Sequence, residues 1–155
     1  MVQGTRSPSP KGTYLLLIHL DADAQFQVGH LGTIDLQAGW YGYTGSARGP
    51  GGLKARLARH QKKVKKHHWH IDYLIDQGTI YAIWQCESPE RLECDWAHAL
   101  VANIPGVQFP VPGFGSSDCH CPAHLIQFRE PPSDHAILQA LQRVGPRPRV
   151  HRLEG

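Results

Sequence analysis

The chain of 155 residues has a length that fits one domain, and its 41% of apolar residues favours a globular fold over disorder. No apolar run could cross a bilayer, since the longest covers residues 14–18, and residues 1–10 contain no apolar stretch of the signal-peptide type. We therefore expect a cytoplasmic protein with no membrane partner. Four cysteines are few for a secreted disulfide scaffold, so we expect reduced thiols, with a metal site as the alternative.

The net charge of +3 is distributed unevenly along the chain. No acidic residue lies between Asp35 and Asp72, whereas this interval holds eight of the sixteen Lys and Arg residues. The remainder of the chain has eight bases against thirteen acids, a net charge of −5. One basic segment on a mildly acidic body favours a polyanionic partner, most simply nucleic acid. The alternative is a solvated basic helix face that binds no ligand.

The first half of the chain is expected to begin with a loose polar tail over residues 1–10 and to continue as strands and then helices. Runs of β-branched, aromatic and other apolar residues predict strands at 13–20, 26–31, 33–36 and 40–45. The helical spacing of Leu53, Leu57 and Val64 predicts a helix over 53–63, and a shorter helical segment is expected over 69–75.

The second half alternates in the same way. A strand is predicted at 79–86, followed by a helix that Ser88 caps and Pro89 opens, and which ends near residue 102. After an irregular stretch, residues 124–128 suggest a last strand. Ser133 or Asp134 then caps a helix with the apolar stripe Ile137, Leu141 and Val144. We expect one domain over 11–130, with a C-terminal helix and a basic tail over 131–155.

Several residues that could carry chemistry occur in a definite order. Gly12-Thr13-Tyr14 opens the first strand, and Tyr43-Thr44-Gly45 ends a later one. Arg56 follows Gly45 by eleven residues, His60 lies one helical turn beyond it, and Glu93 lies near the start of a later helix. Taken singly, these residues have ordinary explanations as strand aromatics, exposed helix bases and a first-turn acid. Their order is what carries information.

In this order the sequence resembles the GIY-YIG nuclease superfamily, and more closely its stand-alone Uri-type endonucleases. The resemblance covers residues 11–128 and also rests on His68-Trp69-His70-Ile71-Asp72-Tyr73 and Gly113-Phe114-Gly115-Ser116-Ser117-Asp118-Cys119. It implies a three-layer α/β (α+β) domain, with a small, mostly antiparallel central sheet flanked by helices. Twenty-eight residues separate Tyr14 from Tyr43, more than in most members, so an extra hairpin is expected there to enlarge the sheet.

The resemblance also implies roles for the five ordered residues. Tyr14 would orient the nucleophile, and Tyr43 would be the candidate general base. Arg56 would bind the scissile phosphate, with His60 as a partner one turn away. Glu93 would hold one divalent ion, Mg²⁺ or Mn²⁺.

Elementary chemistry supports these roles. An arginine and a metal ion both stabilise negative charge on phosphoryl oxygens, and a hard cation prefers a carboxylate oxygen. The guanidinium of Arg56 matches phosphate geometry and keeps its charge. Tyrosine, with an ordinary pKa of about 10, is a poor base at neutral pH. A nearby Arg56 or metal ion should make its phenolate more accessible, and His60 titrates near neutrality.

Two further groups of residues have competing interpretations. His70 and Asp72 either support the active site or simply begin a helix whose Trp69 lies in the core. Cys119, Cys121 and His124 resemble a zinc knuckle, for which Cys94 is the candidate fourth ligand. Alternatively, Ser117 and Asp118 support the active site from a glycine-rich loop, and the thiols pack in the core.

These observations predict a metal-dependent DNA endonuclease, with a place in DNA repair and branched or single-stranded DNA as candidate substrates. The basic segment supplies the candidate nucleic-acid-binding residues Lys54, Arg59, Lys62, Lys63, Lys65 and Lys66. One alternative is a nucleic-acid-binding module on the same scaffold that does not cut. A zinc-stabilised interaction protein is a third class.

Overall fold

Five antiparallel strands form a central sheet, and two further strands form a separate hairpin. The computed structural model describes residues 10–62, 66–67, 69–115 and 122–153. In these ranges the elements are, in chain order, β1 (Gly12–Leu20), β2 (Ala24–Val28), β3 (Gly32–Leu36), β4 (Gly39–Ala47), α1 (Gly52–Gln61), α2 (His70–Gln77), β5 (Thr79–Glu87), α3 (Glu93–Asn103), β6 (Leu125–Phe128), α4 (Asp134–Gln142) and β7 (Arg149–Arg152). No helix in the described ranges is long and apolar enough to span a membrane.

The central sheet has the strand order β6-β4-β1-β5-β7, so β1 lies in its middle. Every residue of β1 but one is buried, because helices cover both faces of the sheet. This burial explains why β1 appears in the sequence as a continuous apolar run rather than an alternating one. The predicted α+β class and the flanking of an antiparallel sheet by helices are confirmed.

Alternate residues of β1 point to two different hydrophobic clusters. Tyr14, Leu16 and Ile18 pack with α1, α2 and the β2–β3 hairpin, and we call this side of the sheet the motif face. Leu15 and Leu17 pack with α3 and α4 on the opposite side, which we call the core face. The domain therefore has one layer of helices on each side of the sheet.

The β2–β3 hairpin differs from its predicted arrangement. It was expected to enlarge the central sheet, but it forms a two-stranded sheet of its own. Its inward side chains join the motif-face cluster, and Phe26 stacks on Tyr73 of α2 with ring centroids 6.1 Å apart. The hairpin is thus held by side-chain packing against α2 and not by hydrogen bonds to the sheet.

Other predicted boundaries also need correction. The helix expected from Ser88 begins only at Glu93, because Ser88 Oγ accepts from the Glu90 N–H and closes a local turn. Ser133 does cap α4, accepting from the Ala136 N–H at 3.1 Å, but Val144 lies beyond the helix and is 38% exposed. The segment expected to be a basic tail contains β7, which pairs with β5.

Candidate active site

The glycine of the second motif allows Tyr14 to lie across the neighbouring strand. Tyr14 and Gly45 are direct partners in the antiparallel pairing of β1 with β4, so both face the motif side. A Cβ atom added to Gly45 would lie 2.4 Å from the Tyr14 hydroxyl oxygen and 2.5 Å from Cζ. Only glycine leaves room for the phenol ring in this position. The two motifs therefore meet across one strand pair.

Helix α1 brings His60 to the phenol of Tyr14. The Tyr14 hydroxyl and His60 Nε2 are 2.7 Å apart, and each residue is only 1% exposed. Arg56, one turn earlier on α1, is also close to the Tyr14 side chain and acts to lower the pKa of its phenol. The sequence predicted that Arg56 and His60 share a side of the helix, and both reach the same tyrosine.

Tyr43 lies two residues before Gly45 on the same face and is 7% exposed. Its ring centroid is 6.4 Å from His60, 6.4 Å from Phe114 and 6.3 Å from His124. Gly115, with a φ of +74°, approaches so closely that an added Cβ would lie 2.8 Å from the Tyr43 ring. Tyr43 is thus enclosed by rings and backbone.

The expected activation of the two phenols is reversed by burial. Burial raises the pKa of Tyr14 to about 12, although Arg56 acts in the opposite, expected direction. Burial also raises the pKa of Tyr43, and the neighbouring Tyr14 adds to that increase. Both phenols therefore carry their protons at neutral pH. As protonated groups they can donate hydrogen bonds or relay protons, but they are not standing bases.

Ser46 connects Arg56 with Glu93. Arg56 Nη1 donates to the backbone carbonyl of Ser46 at 3.1 Å, and the Ser46 hydroxyl donates to Oε2 of Glu93. Glu93 is the first residue of α3 and only 4% exposed. Thr13 fixes this end of α3, because its hydroxyl accepts from the Leu92 N–H at 3.2 Å. No role for Ser46 was expected from the sequence, although this residue directly follows the second motif.

Glu93 fits a site for one hard divalent cation. The described residues contain no group of three or more His, Cys, Asp or Glu side chains that could hold a metal ion. A magnesium ion often takes only one or two carboxylates from the protein and completes its shell with water and phosphate oxygens. The buried Glu93 carboxylate beside Arg56 is compatible with that mode of binding.

Arg59 and Asp72 form a buried ion pair that joins α1 to α2. Arg59 donates from Nη1 to Oδ1 at 2.8 Å and from Nη2 to Oδ2 at 2.9 Å, and Asp72 is fully buried. Asp72 thus supports the helices that carry the site. Arg59, expected among the nucleic-acid-binding residues, has its charge balanced within the protein.

His70 supports a loop beside the site. Its Nδ1 accepts from the Gly115 N–H at 2.9 Å, and its ring centroid is 5.5 Å from Phe114. This contact holds the loop that encloses Tyr43. His70 therefore contacts the loop beside Tyr43, and its role in supporting the site stays a prediction.

Of the remaining residues that the sequence singled out, some are exposed lysines and others lie outside the described residues. Lys54, Lys62 and Lys66 are exposed, as a binding surface requires. Outside the described residues lie Lys63, Val64, Lys65, His68, Ser117, Asp118, Cys119 and Cys121.

Cys94 departs from the expectation of reduced thiols, because it takes part in a disulfide bond, whereas Cys86 is a buried free thiol. Cys94 Sγ lies 3.5 Å from Nε2 of His124, and burial lowers the pKa of His124. The proposed zinc ligands Cys119 and Cys121 lie outside the described residues. Zinc binds a thiolate and not a disulfide sulfur, so Cys94 is not the fourth zinc ligand that was expected, and the described residues contain no larger ligand set around His124.

Comparison with known proteins matches the chain to a protein family. No curated protein and no solved structure matches the chain. A family model described as "Domain of unknown function DUF123" matches residues 13–145. This range includes the tyrosines of both motifs, the four α-helices of the described residues, and Arg56, His60 and Glu93 of the candidate site. Because the match covers most of its length, the chain belongs to the DUF123 family.

Proposed function

We propose that the protein is a metal-dependent DNA endonuclease of the GIY-YIG type, which hydrolyses phosphodiester bonds. The observation that carries the proposal is the arrangement of Tyr14, His60, Arg56 and Glu93 in one connected group around Ser46 and Gly45. A cation that binds phosphate, a carboxylate for a metal ion and a hydroxyl–imidazole pair are the parts that phosphodiester hydrolysis requires.

Arg56 is the residue best suited to the scissile phosphate. Among the described residues, no carboxylate forms an ion pair with it. Its contacts in the described ranges include the neutral Ser46 carbonyl and the Trp69 ring, and it lies near the Tyr14 phenol, so no acid in these ranges is paired with its charge. A guanidinium held in place but not neutralised offers its remaining donors to phosphoryl oxygens.

Tyr14 and His60 remove the proton of the attacking water molecule in the proposed reaction. A water molecule attacks phosphorus, and the bond from phosphorus to the leaving oxygen breaks. The Tyr14 oxygen accepts the proton of the attacking water while its own proton passes to His60 Nε2, 2.7 Å away. The leaving oxygen takes a proton from solvent. When bound at Glu93, Mg²⁺ or Mn²⁺ supplies positive charge that stabilises the phosphate in the transition state.

In the proposed reaction, Tyr14 has the role that the family resemblance suggested for Tyr43. Tyr14 has the direct hydrogen bond to a histidine, whereas Tyr43 contacts His60 and His124 through ring packing. Tyr43 then shapes the wall of the site. DNA as substrate agrees with the exposed Lys54 and Lys62 on and directly after α1, the helix that carries Arg56 and His60, and with the exposed Lys66. A cytoplasmic location is part of the same proposal.

The test is a cleavage assay on supercoiled, single-stranded and branched DNA with Mg²⁺ or Mn²⁺. Arg56→Ala and Glu93→Gln are expected to lower the single-turnover rate by at least about a hundredfold, because each removes transition-state charge stabilisation. The matched controls are Arg143→Ala and Asp95→Asn, which remove the same charges at exposed positions. Both controls should cut like the wild type.

Two outcomes would contradict the proposal. Cleavage that persists at wild-type rate in both site variants would mean that other residues carry the reaction. Salt-sensitive DNA binding with no cleavage by the wild type would instead indicate a nucleic-acid-binding module.

A further inference from the structure

Trp69 is anchored at the start of α2 by the buried Asp72. The Trp69 N–H donates to Oδ2 of Asp72 at 2.9 Å, and the Asp72 N–H donates to the Trp69 carbonyl at 3.0 Å. The first bond is the half of a capping box in which the carboxylate at the third helical position accepts from the N-cap N–H, and the second closes the first turn, so the pair fixes where the helix begins. The indole is therefore held in a defined place relative to the ion pair between Arg59 and Asp72.

Two guanidinium groups of α1 pack against this indole. The Cζ of Arg56 lies 4.2 Å from the centroid of the Trp69 ring, and the Cζ of Arg59 lies 4.1 Å from it. The two arginines are three residues apart on one helix, so their side chains leave α1 on the same side. Both distances are well within the range at which an aromatic face attracts a cation.

The two arginines differ in the charge of the other groups that they contact. Arg59 is neutralised by a two-point ion pair with Asp72. Arg56 is held by the Ser46 carbonyl and the Trp69 ring, neither of which carries a formal negative charge. A carboxylate in the place of Trp69 would also orient Arg56, but it would compete with a phosphate for the same charge. An aromatic face orients the cation and leaves its charge available.

We propose that Trp69 is a positioning residue that acts on the phosphate through Arg56. Its ring sets the orientation of the Arg56 guanidinium, while Arg59 and Asp72 set the place of the ring. This inference rests on the proposed nuclease function. It adds a residue that the tyrosine, arginine and glutamate motifs do not contain, and it assigns Arg59 to support and not to phosphate binding.

The experiment compares Trp69→Leu with Trp69→Phe in single-turnover cleavage and in DNA binding. Trp69→Leu removes the aromatic face and should lower the cleavage rate at saturating DNA by about ten- to a hundredfold, because a misplaced catalytic group costs this much. The Kd for DNA should change by less than about threefold, since one phosphate contact among several is affected. Trp69→Phe keeps an aromatic face and should recover most of the rate.

A double-mutant cycle tests whether the effect passes through Arg56. In an Arg56→Lys background, the further change Trp69→Leu should lower the rate by less than about twofold, because the oriented guanidinium is already absent. Tyr73→Leu is the packing control. It removes an aromatic residue of the same helix that stacks on Phe26, so it should keep the wild-type rate.

The possible failures are distinguishable. If the wild type cuts none of the DNA substrates, the proposed function fails and this inference fails with it. If the wild type cuts and folded Trp69→Leu cuts at the same rate, the inference alone fails. Equal losses in Trp69→Leu and Tyr73→Leu, or losses that multiply in the Arg56→Lys background, would show that Trp69 only packs the helices together.

Discussion

The two faces of the central sheet are built from alternate residues of the same strands and differ sharply in chemistry. On the core face, Trp84, Trp96 and Leu100 are fully buried in an apolar cluster. The buried His, Asp and Glu side chains lie instead near Tyr14 and Tyr43 of the motif face. His60 and Asp72 belong to α1 and α2 of that face, and the His124 ring contacts Tyr43. Glu93 begins α3 of the core face but is close enough to act on both phenols. Burying such groups costs free energy, so their concentration around the two tyrosines agrees with the proposed site there, while the apolar cluster of the core face contributes mainly to stability.

The largest expected effect is on the free energy of unfolding, when a large side chain is removed from the core face. Trp96→Ala removes a fully buried indole and is expected to lower the free energy of unfolding by about 3–5 kcal/mol, because it leaves a cavity. Urea unfolding measures this loss. The folded fraction should keep its cleavage rate. Val150→Ala, a change at an exposed apolar residue, is the control and should stay within about 0.5 kcal/mol of the wild type. A loss below about 1 kcal/mol in Trp96→Ala would remove the proposed division between the faces.

A smaller effect on stability, with a large one on activity, is expected on the motif face. Gly45→Ala places a Cβ against the phenol of Tyr14, so the hydroxyl must move away from His60. We expect unfolding free energy to fall by about 1–3 kcal/mol through overpacking, and single-turnover cleavage to fall by about a hundredfold. Gly49→Ala is the matched control, because an added Cβ there contacts nothing within 4 Å. Wild-type cleavage by Gly45→Ala would show that the position of Tyr14 is unimportant.

The smallest effect is a pH dependence of stability at high pH. Burial raises the pKa of Tyr14 from 10.0 to about 12, so between these values the folded chain holds a proton that the unfolded chain has lost. The stabilisation is therefore complete below pH 10 and is lost as pH rises towards 12. Urea unfolding between pH 9 and 11 should show a shallower decline for Tyr14→Phe than for the wild type. Part of the decline should remain, because burial also raises the pKa of Tyr41 to about 12. An equal decline in both proteins would contradict the burial of Tyr14 as a protonated phenol.

The central strands, and the directions in which side chains leave α1, were predictable because they depend on residues that are close in the sequence. β1 and β5 are runs of apolar and β-branched residues, and burial on both faces demands such a run. Arg56 and His60 are four residues apart, so their shared direction follows from helix geometry alone. Ser133 lies directly before an apolar helical stripe, and it caps α4 as predicted.

Contacts between distant segments were not predictable in the same way. The pairing of β2 with β3 apart from the main sheet depends on how Phe26 packs on α2. The contact of Trp69 with Arg56 joins two helices, and no spacing rule within either helix encodes it. β7 lacks an alternating apolar pattern because all four of its residues are exposed, and only its neighbour β5 makes it a strand.

The charge count of the basic segment was also a poor guide to the individual bases. Arg59 is balanced by Asp72, and Arg48 donates to the backbone carbonyls of Ser88 and Glu90. Both arginines are used to hold elements of the fold together. A sequence shows how many cations a segment has, whereas the fold decides how many of them face a ligand.

The strand order has a consequence for how the domain assembles. β1 and β4 pair early in the chain, while β6 and β7, which flank the sheet on its two sides, come last. During synthesis from the N-terminus, the tyrosines can meet before the outer edges of β4 and β5 are covered. Open strand edges pair readily with other chains. We therefore expect shortened chains that end before β6 to keep the strand pair of the site and to aggregate through these edges.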